Sequence, residues 1–356
     1  MIRFAWHRFR AQALAALGAL AVLAVALAIT GIQLAHAHDA AVAACRPRGD
    51  CASGLGNALN FPSSSELALA GLLSALVVAV PALTGMFWGA PLIARELETG
   101  SFRLAWTQGV TRTRWLAVKL GVAGAASMSA AGLLSLMVTW WSGPIAAVDG
   151  GRLSSFHSSG VAPVGYAAFA FALGAAAGLL IRRTVPAMAV TLAIFAAVTF
   201  AFPGWVRPHL IPPVQATVTL SAASINGFTF SPDGRTLYVQ TAPPDIPGAW
   251  ILSSQLTTPD GRPASAEPAT GTCELHAPGG GSCEAYIESL HLRQTVTYQP
   301  ASRYWPLQWY ETGIYLALAL ALAGFCLWRI RPGRPAEPGI HRPRASRPAP
   351  VLERSP

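Results

Sequence analysis

Arg95 to Lys119, RELETGSFRLAWTQGVTRTRWLAVK, is the stretch on which the reading of this chain turns. It holds five of the chain's 25 basic residues and two carboxylates, and a long apolar run lies on either side of it. The stretch is too short to fold by itself. It lies at a membrane surface, and the runs beside it cross the bilayer.

Composition points the same way. Of 356 residues 53% are hydrophobic and only 12% charged, and the apolar residues come in blocks rather than at the periodicity of a soluble core. The formal net charge of +9 flanks those blocks, so it reads as the positive-inside bias of a membrane protein and not as a nucleic-acid surface.

Working outward towards the N-terminus, Leu67 to Ala94 forms the second span, with Pro81 and Gly85 predicting a kink inside it. A polar loop, His38 to Ser65, precedes it. Ala11 to Ala35 is the first span, long enough for a ~30 Å hydrocarbon core, and residues 1–10 with Arg3, Arg8 and Arg10 form an N-terminal tail. Ala35-His36-Ala37 also fits a signal-peptide cleavage site, but the apolar run is longer than the usual h-region.

Towards the C-terminus, Leu120 to Trp141, Val161 to Ile181 and Thr184 to Trp205 are spans three to five, with a short loop, Ser142 to Gly160, after the third. A polar region, 206–310, follows. The sixth span covers 311–328, and the Arg/Pro-rich tail 329–356 buries too little apolar surface to fold. The fold class is thus an all-α polytopic membrane protein, with six transmembrane helices and a mainly β or irregular extracytoplasmic domain between the fifth and sixth.

With the N-terminus inside, the inner segments hold three, five, two and seven basic residues, which is 17 of 25. Both termini are therefore cytoplasmic, in a plasma membrane. Arg112, Arg114, Lys119, Arg182 and Arg183 stand at the headgroups on that side. Cys45 and Cys51 share one outer loop and Cys273 and Cys283 the other, so disulfides within or between the loops are expected. Four unpaired thiols are the alternative. His276 and His291 complete no zinc spacing, and no metal site is assigned.

In the outer region, Gly227 to Val239 reads as a β-hairpin turning at Pro232, Asp233 and Gly234, in a single copy and so not a propeller. Tyr304, Trp305, Trp309 and Tyr310 form an interfacial aromatic belt, with a substrate portal as the other reading. Gly174 and Gly178 make a G-x-x-x-G face for helix packing, inside one subunit or between two.

Within the opening stretch, Glu96 and Glu98 occupy a short polar helix that Gly100 can end. Ser101 caps a second one in which Phe102, Ala105 and Trp106 share a face, and Thr111 caps the next span. Such an element presents a rigid knob to a partner or merely anchors two helices. Sequence physics leaves both readings open.

The stretch resembles the cytoplasmic coupling segment of ATP-binding-cassette transporter permeases of the type-2 exporter class. There an acidic pair and a Gly-Ser precede a short helix, and an Arg and a Lys open the next span. Here those positions are Glu96, Glu98, Gly100, Ser101, Arg112 or Arg114, and Lys119. The six-span order is similar to an actinobacterial subgroup. The resemblance implies that Glu96, Glu98, Gly100, Ser101, Phe102, Arg103 and Trp106 contact a separate ATPase subunit. It also implies a second permease copy or a paralogue, with membrane lipid around both.

No P-loop is present, since the single lysine, Lys119, lies outside any Gly-rich turn, and no catalytic residues are assigned. ATP and Mg are expected in the partner chain and no cofactor in this one. The resemblance implies an exporter working by alternating access; the apolar spans are compatible with a hydrophobic or amphipathic substrate, and their near lack of charge argues against an ion relay. The rival function is a non-transporting sensor or scaffold whose outer region binds a ligand or envelope partner.

Overall fold

The computed structural model describes residues 2–45, 63–100, 111–147, 151–220, 225–230, 236–241, 246, 248–264, 266–268 and 290–331. Its helices are α1 (Ile2–Cys45), α2 (Ser64–Thr84), α3 (Ala90–Thr99), α4 (Arg112–Trp141), α5 (Gly143–Ala146), α6 (Ala162–Ile181), α7 (Thr184–Trp205), α8 (Arg207–Leu210) and α9 (Tyr304–Arg329). Among the described residues, six helical stretches are long and apolar enough to cross a membrane. They are Leu14–Ala43, Ser64–Thr99, Arg112–Trp141, Ala162–Ile181, Thr184–Trp205 and Ala301–Arg329.

The axis of the bundle is α6. From Ala162 to Gly178 every residue except Val164 is buried, and α2, α3, α4, α7 and α9 all pack on it. A helix apolar all round belongs in the middle, away from lipid and water. By contrast α1 touches chiefly α4 and leaves Val22, Val25, Ile29 and Ile32 exposed, as suits a helix facing hydrocarbon.

Small residues let the backbones meet. A π-turn, Gly85–Gly89, joins α2 to α3, and both of its glycines lie against α6. A Cβ at Gly85 would come 2.5 Å from the Ala170 carbonyl oxygen, and one at Gly89 2.6 Å from that of Phe171. Cβ atoms at Gly174 and Gly178 would overlap the carbonyl oxygens of Gly85 and Ala90. The G-x-x-x-G face of α6 is therefore filled inside this chain by the second span, so it is not free to serve as a seam between copies.

Three sequence expectations shift. Helix α2 runs through Pro81, and the irregularity falls on the π-turn one step later, where the helix closes on α6. Glu96 and Glu98 do not form a separate helix. No breaker follows Arg95, so α3 simply continues the second span until Gly100 ends it in the left-handed region at φ 68°. The sixth span opens at Tyr304 and not at Glu311 or Thr312, because Pro306 sits in the first turn, where a missing N–H costs nothing.

Beyond the bundle, the described residues form two three-stranded antiparallel sheets. One has the order β1 (Val214–Thr219), β6 (Arg293–Gln299), β4 (Trp250–Thr257), and the other β2 (Ile225–Phe230), β3 (Thr236–Thr241), β5 (Ala266–Pro268). The β2–β3 pair is the hairpin expected from Gly227 to Val239, in register at Phe228↔Val239 and Phe230↔Leu237. Its turn lies outside the described residues. Gln294 of β6 donates to Thr241 Oγ1 at 3.1 Å and joins the two sheets.

Candidate functional site

At the end of the bundle away from the sheets, α3 carries the acidic pair. Each carboxylate holds a different span. Glu96 pairs with Lys119 of α4, whose ammonium lies 4.4 Å from the centroid of the Trp115 ring. Glu98 accepts from the Thr184 backbone N–H at 3.0 Å and from its hydroxyl at 2.6 Å, so it caps the N-terminus of α7 from another helix.

Underneath, Ile93, Trp115, Leu116, Ala175, Ala176 and Cys326 form a buried cluster that ties α3, α4, α6 and α9 together. Thr111 caps α4 through the Arg114 N–H, and Arg112, Arg114, Arg182 and Arg183 are exposed around this end. Arg182 takes a left-handed conformation, φ 57°, to close α6 before α7 begins two residues later. Sequence reasoning missed Thr184. The only signal available was a hydroxyl at the first position of an apolar helix.

Ser101, Phe102, Arg103 and Trp106 lie outside the described residues, as do Cys51, Cys273 and Cys283. Cys45 ends α1. Glu96, Glu98 and Gly100 thus stand at the exit into the central stretch, and Lys119 stands inside its return.

A cavity of about 730 Å³ opens between α1, α2 and α4. Ala16, Gly18 and Ala19 thin one wall, Leu76, Val80 and Leu83 make another, and Phe87 and Trp88 of the π-turn close it off. Its polar side-chain groups are the Trp88 indole N–H and the Thr84 hydroxyl, which bonds to Ser127 and to the Pro81 carbonyl. Such walls offer chiefly van der Waals contact to a guest.

At the sheet end lies a polar cluster that the sequence reading did not foresee. Arg207 of α8 grips Glu311 of α9 with Nε and Nη2 at 2.8 and 2.9 Å, and both residues are buried. Tyr166 of α6 donates to the same carboxylate. This corrects the expectation of an almost uncharged interior. Arg207 had been assigned to the outer region and Glu311 to the edge of the last span, although a lone charge at each of two adjoining span ends is itself a pairing signal.

One turn away Gln308 is fully buried. Its Oε1 accepts from Val161 N–H and Ala162 N–H at 3.1 and 2.8 Å, and its Nε2 donates to the carbonyls of Phe156 and Ser159, both at 3.0 Å.

His157, in the loop beneath the sheet, has its pKa pushed down to about 4, first by burial and then by the Arg207 charge. The unfolded chain takes up this proton near pH 6.5 and the folded one only near 4, so stability is whole above 6.5 and falls as pH drops through that window. Thermal unfolding in detergent from pH 7 to 4.5 is expected to show a loss on the order of 2 kcal/mol, which His157→Gln reduces.

A bundle with one enclosed axial helix, a charged rim at one end and an apolar hollow between spans has the build of a multi-pass membrane protein. The model of the ABC-2 membrane transporter related family matches residues 17–207, which is 191 of the 356 residues, and the chain belongs to that family. It is a permease component of an ABC transporter, and the family implies an ATP-binding partner subunit. The match takes in the first five spans and ends at Arg207. No curated protein and no solved structure matches the chain.

Proposed function

We propose that this chain is the membrane subunit of an ATP-driven exporter that moves a hydrophobic or amphipathic substrate by alternating access. The separate ATPase subunit docks at the end bearing Glu96, Glu98 and Gly100, and the docking surface continues through Ser101, Phe102, Arg103 and Trp106. Both termini lie on that cytoplasmic side, and a second copy or paralogue completes the path. The six-span order of an actinobacterial subgroup is in keeping with this reading.

One observation carries the proposal. The acidic pair at the exit of α3 is bonded to two other spans, Glu96 to α4 and Glu98 to α7, so a push on the central stretch reaches spans two, three and five together. The hollow between α1, α2 and α4 supports an apolar substrate.

The test is co-purification from the native membrane, followed by transport. The intact chain is expected to bring down an ATP-binding subunit. Glu98→Gln, which weakens the bond to Thr184, is expected to lower export about fivefold or more. Recovery of no ATPase subunit, together with unchanged export in Glu96→Ala/Glu98→Ala, rules the reading out.

A further inference from the structure

Two connections join the β1–β6–β4 sheet to the bundle: residues 206–213, which leave α7 for β1, and residues 300–303, which leave β6 for α9. The strands they serve are neighbours, paired from Val214↔Tyr298 onward. The connections are themselves bonded to each other. Gln299 Nε2 donates to the Ile211 carbonyl at 2.7 Å, and Arg303 donates to the Pro212 carbonyl and to Gln299 Oε1. Deeper in, Arg207 and Glu311 close the same ladder, with the guanidinium 4.1 Å from the Phe156 ring centroid and 5.9 Å from that of Trp250 in β4.

Stability does not account for this charge pair. Removing two ions from water costs about what their attraction returns, and well-packed apolar residues in the same volume commonly hold a fold as well or better. What an apolar pair cannot do is fix orientation. A guanidinium gripping a carboxylate by two parallel bonds fixes the rotation of α9 about its own axis relative to α8, and the Tyr166 hydroxyl refers both to α6.

We propose that Arg207 and Glu311 are positioning residues that make the β1–β6–β4 sheet a rigid extension of the fifth and sixth spans. The sheet is then not a domain tethered to the membrane part. Building on the permease reading, a tilt of α7 and α9 during the transport cycle is carried undiminished to the sheet, which becomes the moving outer arm of the transporter. A sensor domain on loose linkers would need the opposite construction.

The test is hydrogen exchange read by mass spectrometry on the full chain in lipid nanodiscs, with no ATPase present. Its outcome is therefore separate from that of the permease reading. Either single substitution leaves a buried charge alone and risks misfolding, so the working variant is Arg207→Met with Glu311→Leu. Its melting temperature is expected to match that of the unaltered protein, while amides in 206–213 and 300–311 exchange about tenfold faster and those in the middle of α6 are unchanged. Arg207→Lys keeps the charge but not the fork, and is expected to loosen the same two segments. The exchanged pair Arg207→Glu with Glu311→Arg is expected to restore much of their protection. Unchanged exchange in 206–213 and 300–311 of the double apolar variant overturns the proposal. So does a double apolar variant that no longer folds, because the pair would then be holding the structure up and not orienting it.

Discussion

Gly174→Val is expected to abolish the assembled bundle: little folded protein from membranes, and a melting transition lowered by ten degrees or more or lost. The first carbon of any side chain at this position overlaps the backbone carbonyl of Gly85, and a backbone atom cannot swing aside as a long side chain can. Relief requires α6 to move off the π-turn, and that opens the contacts of Gly89 with Phe171 and of Gly178 with Ala90 as well. Overpacking ordinarily costs about 1–3 kcal/mol. Here three close approaches fail together, and without a hydrophobic drive between helices in lipid, packing of this kind is most of what holds spans together. Gly121→Ala and Gly313→Ala are the controls. A Cβ at either meets nothing within 4 Å, so both variants are expected to match the unaltered protein or to gain up to about 1 kcal/mol from helix propensity. If Gly174→Val melts like the Gly121 variant, the second and fourth spans do not touch as described.

How far the sequence reached can be judged from particular residues. Runs of apolar residues longer than a bilayer needs announce themselves, so the helical class was legible, and so was the hairpin with its single turn signal. Caps were legible where one residue type decides the geometry, as with Thr111 before α4 and Gly100 after α3. Pairings between distant residues were not. The Glu98–Thr184 bond joins residues 86 positions apart with nothing local to either that names the other, and Arg207 and Glu311, 104 apart, were marked only as a charge at each of two span ends. Gly174 and Gly178 show the intermediate case. Their spacing marked a packing face, but only the fold reveals that the π-turn, with its own glycines at the same spacing, fills it. The π-turn itself was hidden because its sequence, GMFWG, suits an α-helix equally well.

Gln308→Leu is the second substitution with a large expected effect, about 4 kcal/mol or more of lost stability, from a change of nearly equal volume. Gln308 uses every hydrogen-bonding position of its amide. Two acceptor bonds satisfy Val161 and Ala162, N–H groups at the start of α6 that no helical carbonyl can reach, and two donor bonds satisfy the carbonyls of Phe156 and Ser159. Leucine removes all four, and several of the abandoned groups stay buried at roughly 1–3 kcal/mol each. Water would rescue them if it could enter, but the ring of Tyr304 and the Ser159 hydroxyl bonded to it close that side. The damage should be directional: the 156–161 loop comes away from α9, exposing the first turn of α6, while the far end of the bundle at Glu96 and Lys119 is untouched. Hydrogen exchange distinguishes this from general destabilisation, since amides of 156–164 are expected to lose protection at temperatures where α3 and the start of α4 keep theirs. Gln308→Glu sharpens the test, because it retains the two acceptors, which a helix N-terminus favours, while setting a carboxylate oxygen against two carbonyls. Of the two variants, Glu is expected to keep the Val161 and Ala162 amides protected, and Leu to lose that protection. A Gln308→Leu protein as stable as the original would mean that the loop and α6 are not held from α9 at all.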